Sequence, residues 1–219
     1  MGKKIGNILI CLGLALILGA GGMTWYNIRL EQKGAELSDA AVSAIHQLLP
    51  DAPTLGKIPQ NVQLTPTPDF KVTDQGVEIP DYILNPKMKM PVETINGIDY
   101  IGYIQIPVLG IELPVIAETT DALLKMAPCR YKGTAYLDDL IIGGHNYRQH
   151  FASIGKLTPG DTVVFVDMKG NVFCYEVLGQ ELISANDAPG MVSGEWDLSL
   201  FTCNTSRSDR ITIRCRKVK

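Results

Sequence analysis

The stretch DLSLFTCNTSRSDRITIRCRKV, residues 197–218, decides the fold of the chain. Its first half alternates apolar and polar residues and ends at Cys203, and a second alternating run begins at Arg210. Such alternation is typical of strands with one buried face, so the stretch predicts two antiparallel strands joined by a short loop. Antiparallel neighbours of this kind bring Cys203 and Arg210 side by side.

The same alternation predicts the direction of these two side chains. Successive side chains of a strand point to opposite faces. If the leucines of the first strand and the isoleucines of the second face the core, Cys203 and Arg210 both face outward and share a groove. Arg207 lies in the connecting loop NTSRSD, where no regular geometry directs it. We therefore expect Arg210, and not Arg207, to be the functional arginine.

Upstream of this stretch, the chain from about residue 97 consists of short strand-like runs. The segment DTVVFVDMKGNVFCYEVLGQELI predicts a hairpin with its turn at Lys169 and Gly170. Short helices are predicted only at about residues 119–126, 150–157 and 186–191. Seven or eight short strands in about 120 residues predict an all-β fold, a closed or nearly closed β-barrel.

The N-terminus predicts a membrane anchor. Residues 5–23 contain no charged side chain, and about twenty apolar residues suffice to cross a bilayer as a helix. Lys3 and Lys4 precede the run, so the N-terminus is expected in the cytoplasm and the rest of the chain outside. Residues 1–24 are therefore interpreted as a cytoplasmic tip and a single transmembrane helix. A cleaved signal peptide is the alternative.

Two segments separate this anchor from the barrel. Residues 25–49 have apolar residues at helical spacing and predict a juxtamembrane helix that ends at Pro50. Residues 50–94 contain eight prolines and predict an extended spacer with little structure of its own. The barrel domain is assigned to residues 95–219, and a fragment from about residue 50 onward is expected to fold independently and to keep its function.

Composition excludes some functions. The net charge is −3 and basic residues are scattered, which argues against a nucleic-acid partner. Four cysteines follow the anchor, a number that permits disulfides without demanding them, and no CxxC pair indicates a metal or redox site. We expect no metal and no organic cofactor, since thiol chemistry demands neither, and no acidic cluster is assignable to calcium.

A histidine completes a possible set for thiol chemistry. His145 follows a strand and two glycines in IIGGHNY, which allows the ring to reach the surface of the barrel. A thiolate can attack a carbonyl, a histidine can transfer protons, and an arginine can hold an oxyanion. From the residues alone, packing and catalysis remain open for Cys203.

The motifs resemble those of the sortases, membrane-anchored cysteine transpeptidases of Gram-positive bacteria. LSLFTC followed by RITIRCRKV is similar to the Leu-x-Thr-Cys signature and the arginine-led last strand of that family. IIGGHN with HFASIGKLTPGD is similar to its histidine segment. The resemblance covers residues 97–219 and implies an eight-stranded sortase barrel. It also implies His145, Cys203 and Arg210 as catalytic residues, with Thr202 beside the thiol in substrate binding.

The resemblance further implies a reaction. Surface proteins would be cleaved at an LPXTG-like motif, through a thioacyl intermediate on Cys203, and joined to an amine of the cell wall. One alternative is a pilus polymerase that uses a pilin lysine, with the segment TPTPDF at residues 65–70 as a lid. Another is a catalytically inactive, peptide-binding barrel. The short interval between His145 and Cys203 argues against the class B sortases. A papain-like peptidase is disfavoured, because those enzymes place the cysteine before the histidine in the chain.

Overall fold

The computed structural model describes residues 2–55, 71–73, 76–204 and 208–218. The N-terminal part begins with one long helix and continues with short elements. In chain order these are α1 Gly2–Leu48, β1 Lys71–Thr73, β2 Gly76–Glu78, α2 Asp81–Leu84 and β3 Glu93–Ile95. Strands β1 and β2 pair with each other as an antiparallel two-stranded sheet.

The C-terminal part is a closed β-barrel, as the sequence predicted. Its strands are β4 Ile98–Ile106, β5 Ile111–Ile116, β6 Cys129–Lys132, β7 Leu140–Gly143, β8 Thr162–Asp167, β9 Val172–Ser184, β10 Leu198–Cys203 and β11 Asp209–Lys217. They are hydrogen-bonded in the order β4-β5-β6-β7-β10-β11-β9-β8, and pairing of β8 with β4 closes the ring. Strand β3 adds to the beginning of β4, outside the ring of eight.

The predicted helices and hairpin are present around this barrel. The helices are short: α3 is Asp121–Leu124, α4 is Ala188–Val192, and residues 154–156 form a single 3-10 turn. Strands β8 and β9 form the predicted hairpin. Its turn is fixed by Asp167, a fully buried carboxylate that accepts hydrogen bonds from the backbone N–H of Lys169 and of Asn171. All five cysteines are free thiols.

Two faces of the barrel wall are buried. The inner face of the strands fills the barrel with large apolar side chains that include Ile104, Phe165, Leu200 and Ile213. Side chains alternate along each strand, so the neighbours of these residues point outward. On β4 and β8 the outward side chains, such as Tyr103, form a second apolar cluster that the end of α1 covers.

The helix α1 is continuous, so the predicted anchor and juxtamembrane helix are a single element. Its N-terminal part is long and apolar enough to cross a membrane. Its C-terminal part packs on the barrel through a stripe of small residues, Gly34, Ser38 and Ala41, followed by Ile45. A side chain at Gly34 would come within 2.5 Å of the carbonyl oxygen of Lys125, which explains why glycine stands there.

Polar contacts lock this docked end of the helix. His46 Nε2 lies 2.7 Å from Glu112 Oε1 on β5. Gln105 on β4 donates to the same Glu112 oxygen and to the carbonyl of Pro53, at 3.0 Å each. The hydroxyl of Tyr103 also donates to Pro53, at 2.6 Å. The chain is therefore tied to the barrel both at the end of α1 and just after it.

The prediction of an extended spacer is wrong for the residues directly before the barrel. Tyr82 of α2 and Met90 are buried against the barrel core. The ring of Tyr82 stacks on that of Tyr136 with a centroid separation of 4.7 Å. Proline richness gave the wrong expectation here because prolines fit loops that pack on a surface as well as they fit free linkers. The packed unit therefore begins near Gly34 and not at residue 95.

Candidate active site

Three adjacent strands bring the predicted site residues to one edge of the barrel. Strands β10 and β11 are antiparallel, and their register places Cys203 directly opposite Arg210. Strands β7 and β10 are parallel, with Gly143 opposite Phe201. His145 follows Gly143 by two residues, as Cys203 follows Phe201, so the histidine emerges level with the cysteine. Cys203 and Arg210 thus face each other across β10 and β11, and His145 lies just beyond the end of the neighbouring β7.

The loop that carries His145 is held by backbone bonds and by one aromatic ring. Gly144 N–H donates to the carbonyl of Phe201 at 3.0 Å, and Phe151 N–H donates to the carbonyl of His145 at 3.1 Å. The ring of Phe151 is fully buried beneath Gly144, where an added Cβ would lie 2.6 Å from it. Tyr147 stacks on the imidazole of His145 with centroids 4.8 Å apart.

A second histidine lies behind this loop. His150 is only 1% exposed, and its ring is tilted against Tyr147 at 5.5 Å. Burial, with a smaller contribution from the nearby His145, lowers the pKa of His150 to about 4. Its imidazole is therefore neutral near pH 7, and it adds no positive charge beside His145.

Burial distinguishes Cys203 from two other thiols of the barrel, Cys129 and Cys215, whereas Cys174 on β9 is partly buried as well. Burial raises the pKa of Cys129 to about 12, and it raises the pKa of Cys215 further. Both thiols therefore remain protonated, which removes their nucleophilicity. Cys203 is only partly buried and ends its strand at the edge of the barrel, where a substrate can reach it.

One hydrogen-bond donor of Arg210 has no partner in the part of the chain that the structure describes. Its Nη1 is buried and meets no acceptor among the described residues. The carboxylate of the adjacent Asp209 is instead engaged by Ser208 Oγ at 2.7 Å and by Asn204 Nδ2 at 3.1 Å. The guanidinium carbon lies 5.1 Å from the ring centroid of Phe201. A fixed positive charge with a free donor beside a thiol is suited to binding a carbonyl oxygen.

The position of Thr202 argues against the predicted contact with substrate. Its side chain is 1% exposed and lies on the same face as Leu200, toward the barrel interior. Strand alternation imposes this orientation, because Cys203 and Phe201 on either side point outward. Only the backbone of Thr202 could meet a peptide on the outer surface. Arg207 and the segment 65–70 lie outside the described residues.

Some residues of this edge were missed from the sequence. Tyr131 on β6 meets the ring of Phe201 edge-on at 5.4 Å. It lies far from the motif in the chain, so no local pattern indicated it. The sequence predicted no role for Phe201 or for His150 either.

Comparison with known proteins identifies one family. A family model described as the sortase domain matches residues 104–218. No curated protein sequence matches the chain. Eighty-eight solved chains match it in structure.

Three of these structures show the same fold. A sortase C1 from Streptococcus agalactiae is 22% identical, with a TM-score of 0.51, over 62% of this chain and 75% of that one. A sortase D5 transpeptidase from Clostridium perfringens is 23% identical, with a TM-score of 0.50, over 58% and 83%. A Clostridium perfringens sortase C with the C-terminal cell wall sorting motif is 23% identical, with a TM-score of 0.50, over 65% and 77%.

Proposed function

The chain belongs to the sortase family, and we propose that it is a cysteine transpeptidase that attaches surface proteins to the cell wall. Its substrates are proteins with an LPXTG-like sorting motif, which it cleaves between Thr and Gly. The acceptor is an amine of a cell-wall precursor. The observation that supports the proposal is the register that sets Cys203 opposite Arg210, beside the end of the strand that leads to His145.

The first half of the reaction forms a thioester. The thiolate of Cys203 attacks the carbonyl carbon of the motif's threonine, and the carbonyl oxygen takes up negative charge. Arg210 donates a hydrogen bond to this oxygen through Nη1, the donor that no described residue occupies. His145 then protonates the departing glycine amine. The C–N bond breaks and the threonine remains on sulfur.

The second half reverses these roles. The incoming amine attacks the thioester carbonyl and passes a proton to His145. Arg210 again holds the oxyanion, because its charge persists at any accessible pH. The C–S bond breaks, the thiolate of Cys203 is restored, and the product is an amide. No oxidant or external energy source is needed, because an amide is exchanged for an amide.

The docked helix supports a place for this reaction at the outer surface of the cell membrane. Lys3 and Lys4 favour a cytoplasmic N-terminus. The helix continues without a break from the apolar segment to Leu48, and its end is fixed to the barrel. At about 1.5 Å per residue, residues 25–33, which precede the docked part of α1, span roughly 14 Å. The barrel is thus carried at a set distance from the bilayer.

The proposal is tested with the full chain in detergent and a fluorescence-quenched peptide that contains an LPXTG motif. We expect cleavage between Thr and Gly, and an amide product when a glycine-based amine acceptor is added. The Cys203→Ala variant should yield neither product, and Cys129→Ala serves as the matched control that retains both. Equal cleavage by the Cys203→Ala variant would rule the proposal out. Selective transfer to a lysine side chain would replace the cell-wall acceptor with a pilin.

A further inference from the structure

Arg210 is not fixed by the contacts that usually fix an arginine. Among the described residues, no carboxylate forms an ion pair with it, and Nη1 makes no hydrogen bond. The neighbouring Asp209 is occupied by Ser208 and Asn204, as described above. A long side chain that is not held has several rotamers, and ordering it costs free energy. Something else must therefore orient the guanidinium.

The ring of Phe201 is in the position to do so. Phe201 and Arg210 are diagonal neighbours, because Arg210 is opposite Cys203 and Phe201 precedes that cysteine by two residues. The guanidinium carbon lies over the ring at 5.1 Å from its centroid, within the range of a cation–π contact. Phe201 is 8% exposed, so solvent screens this contact only weakly.

The ring is itself held from two other directions. Tyr131 packs edge-on against it at 5.4 Å, with an angle of 88° between the two planes. Gly143 leaves room for its outer edge, since an added Cβ would lie 2.5 Å from Phe201 Cζ. Ile141, Ile183 and Met191 complete the apolar cluster around it. The ring therefore offers a fixed surface, and not a mobile one, to Arg210.

We propose that Phe201 is a positioning residue, which holds the guanidinium of Arg210 toward the reacting carbonyl of the peptide. This inference rests on the proposed function, because it concerns how Arg210 serves that reaction. An aromatic face has an advantage over a carboxylate in this place. It attracts the cation through the negative face of the ring, neutralises no charge and leaves every N–H donor available for the substrate oxygen.

The test first weakens the negative charge on the face of the Phe201 ring and then removes the ring. Phenylalanine at position 201 is substituted by 3-fluoro- and 3,5-difluorophenylalanine, which weaken the negative face while nearly preserving shape, and separately by leucine. We expect kcat/KM for the LPXTG peptide to fall stepwise along this series, reaching about tenfold for Phe201→Leu. Tm should hardly change for the fluorinated proteins. Met191→Leu, in the same apolar cluster, is the control and should retain the parental kcat/KM.

A double-mutant cycle shows whether the ring acts through the arginine. The same substitutions at Phe201 are made in the Arg210→Ala background, in the full chain in detergent. If Phe201 works by positioning Arg210, they cause no further loss in that background. An equal loss in both backgrounds, or an unchanged kcat/KM across the fluorinated series, would overturn the inference and leave Phe201 a packing residue.

The outcomes also separate this inference from the proposed function. If Arg210→Ala alone lowers kcat/KM strongly and the Phe201 series does not, the catalytic role of Arg210 stands and the positioning role fails. If Arg210→Ala retains the parental kcat/KM, the proposed role of the arginine fails first, and the positioning role fails with it.

Discussion

The two ends of the β10–β11 hairpin each carry a cysteine and an arginine, and the two ends differ in how well these groups are satisfied. At one end Cys203 is partly buried and lies opposite Arg210, whose Nη1 has no acceptor among the described residues. At the other end Cys215 is fully buried beside Arg214. The guanidinium of Arg214 contacts Glu181, Ser199 Oγ and the carbonyls of Gly190 and Met191.

The two arginines of β11 show how a functional side chain can be distinguished from a structural one within one strand. Buried polar groups are normally hydrogen-bonded, because an unpaired one costs free energy. Arg214 follows this rule and ties β11 to β9, β10 and α4. Arg210 departs from it, and such departures gather at sites where a ligand supplies the missing partner. The residue types are the same, and the surroundings decide their roles.

The two cysteines give the largest expected effect. Cys203→Ala should abolish peptide cleavage and acyl transfer, because the nucleophile is removed, while the melting temperature stays near that of the parent. Cys215→Ala should do the reverse, with a loss of stability of about 1–2 kcal/mol from a lost buried side chain. Steady-state assays and thermal melts on both variants check this. Retained turnover in Cys203→Ala would contradict the assignment of the two ends.

Arg210 gives the second effect. Arg210→Ala should lower kcat/KM by about 100-fold or more, since a charged hydrogen bond to an oxyanion is lost. Stability should change little, because no described ion pair is broken. Arg207→Ala, in the loop between the same strands, should cost less than about tenfold. A single fluorogenic sorting-motif peptide serves for both variants, and the reverse ranking would refute the choice of arginine.

Arg214 should show its effect in stability. Arg214→Met keeps much of the volume but removes the bonds to β9, β10 and α4, and it leaves Ser199 Oγ without its donor. We expect the free energy of unfolding to fall by roughly 2–4 kcal/mol. The kcat/KM of the folded fraction should fall less than tenfold. Denaturant titration measures the first quantity, and a stability equal to that of the parent would show that the satisfied end is not structural.

The docked helix makes a related prediction about fragments. A fragment that begins at residue 25 retains the contacts of α1 with the barrel, whereas one that begins at residue 50 exposes the cluster around Tyr103, Val164 and Val166. We expect the shorter fragment to be less stable by roughly 2–5 kcal/mol, in proportion to the apolar surface uncovered. Thermal melts of the two fragments compare them directly, and equal melting temperatures would show that the docking is not stabilising.

His150 gives an effect that depends on pH and vanishes near neutral pH. Its folded pKa of about 4 lies below the usual value of 6.5, so between these values the unfolded chain binds the extra proton. Its contribution to stability is therefore complete above pH 6.5 and is lost as the pH falls toward 4, by at most about 3 kcal/mol. In His150→Gln this part of the acid dependence should disappear. Denaturation midpoints at pH 7, 5.5 and 4.5 provide the check.

The barrel and the edge that carries Cys203 and Arg210 could be predicted from the sequence because both depend on local alternation. Leu200 and Ile213 face the core as the pattern required, and the register follows from them, which brings Cys203 opposite Arg210. Contacts between distant parts of the chain leave no such pattern in the sequence, so they were not predicted. Tyr131 against Phe201 is one example, and Tyr82 in the barrel core is another.

The stripe on α1 shows why apolar spacing alone misled. The apolar pattern of residues 25–49 correctly included Ala41 and Ile45, which are buried. It also included Leu37 and Leu48, which are exposed, and it missed the buried Gly34 and Ser38. Close approach of the helix to the barrel selects small residues and not large ones. A hydrophobic count cannot detect this preference.

The most direct test of the account is the site of acylation. The full chain in detergent is mixed with an LPXTG peptide without an amine acceptor, quenched in acid and digested, and the fragments are analysed by mass spectrometry. The account predicts that the peptide up to its threonine is attached to Cys203 through a thioester that hydroxylamine releases. It predicts no adduct in Cys203→Ala. An adduct on Cys129, Cys174 or Cys215, or peptide cleavage that persists in Cys203→Ala, would contradict it.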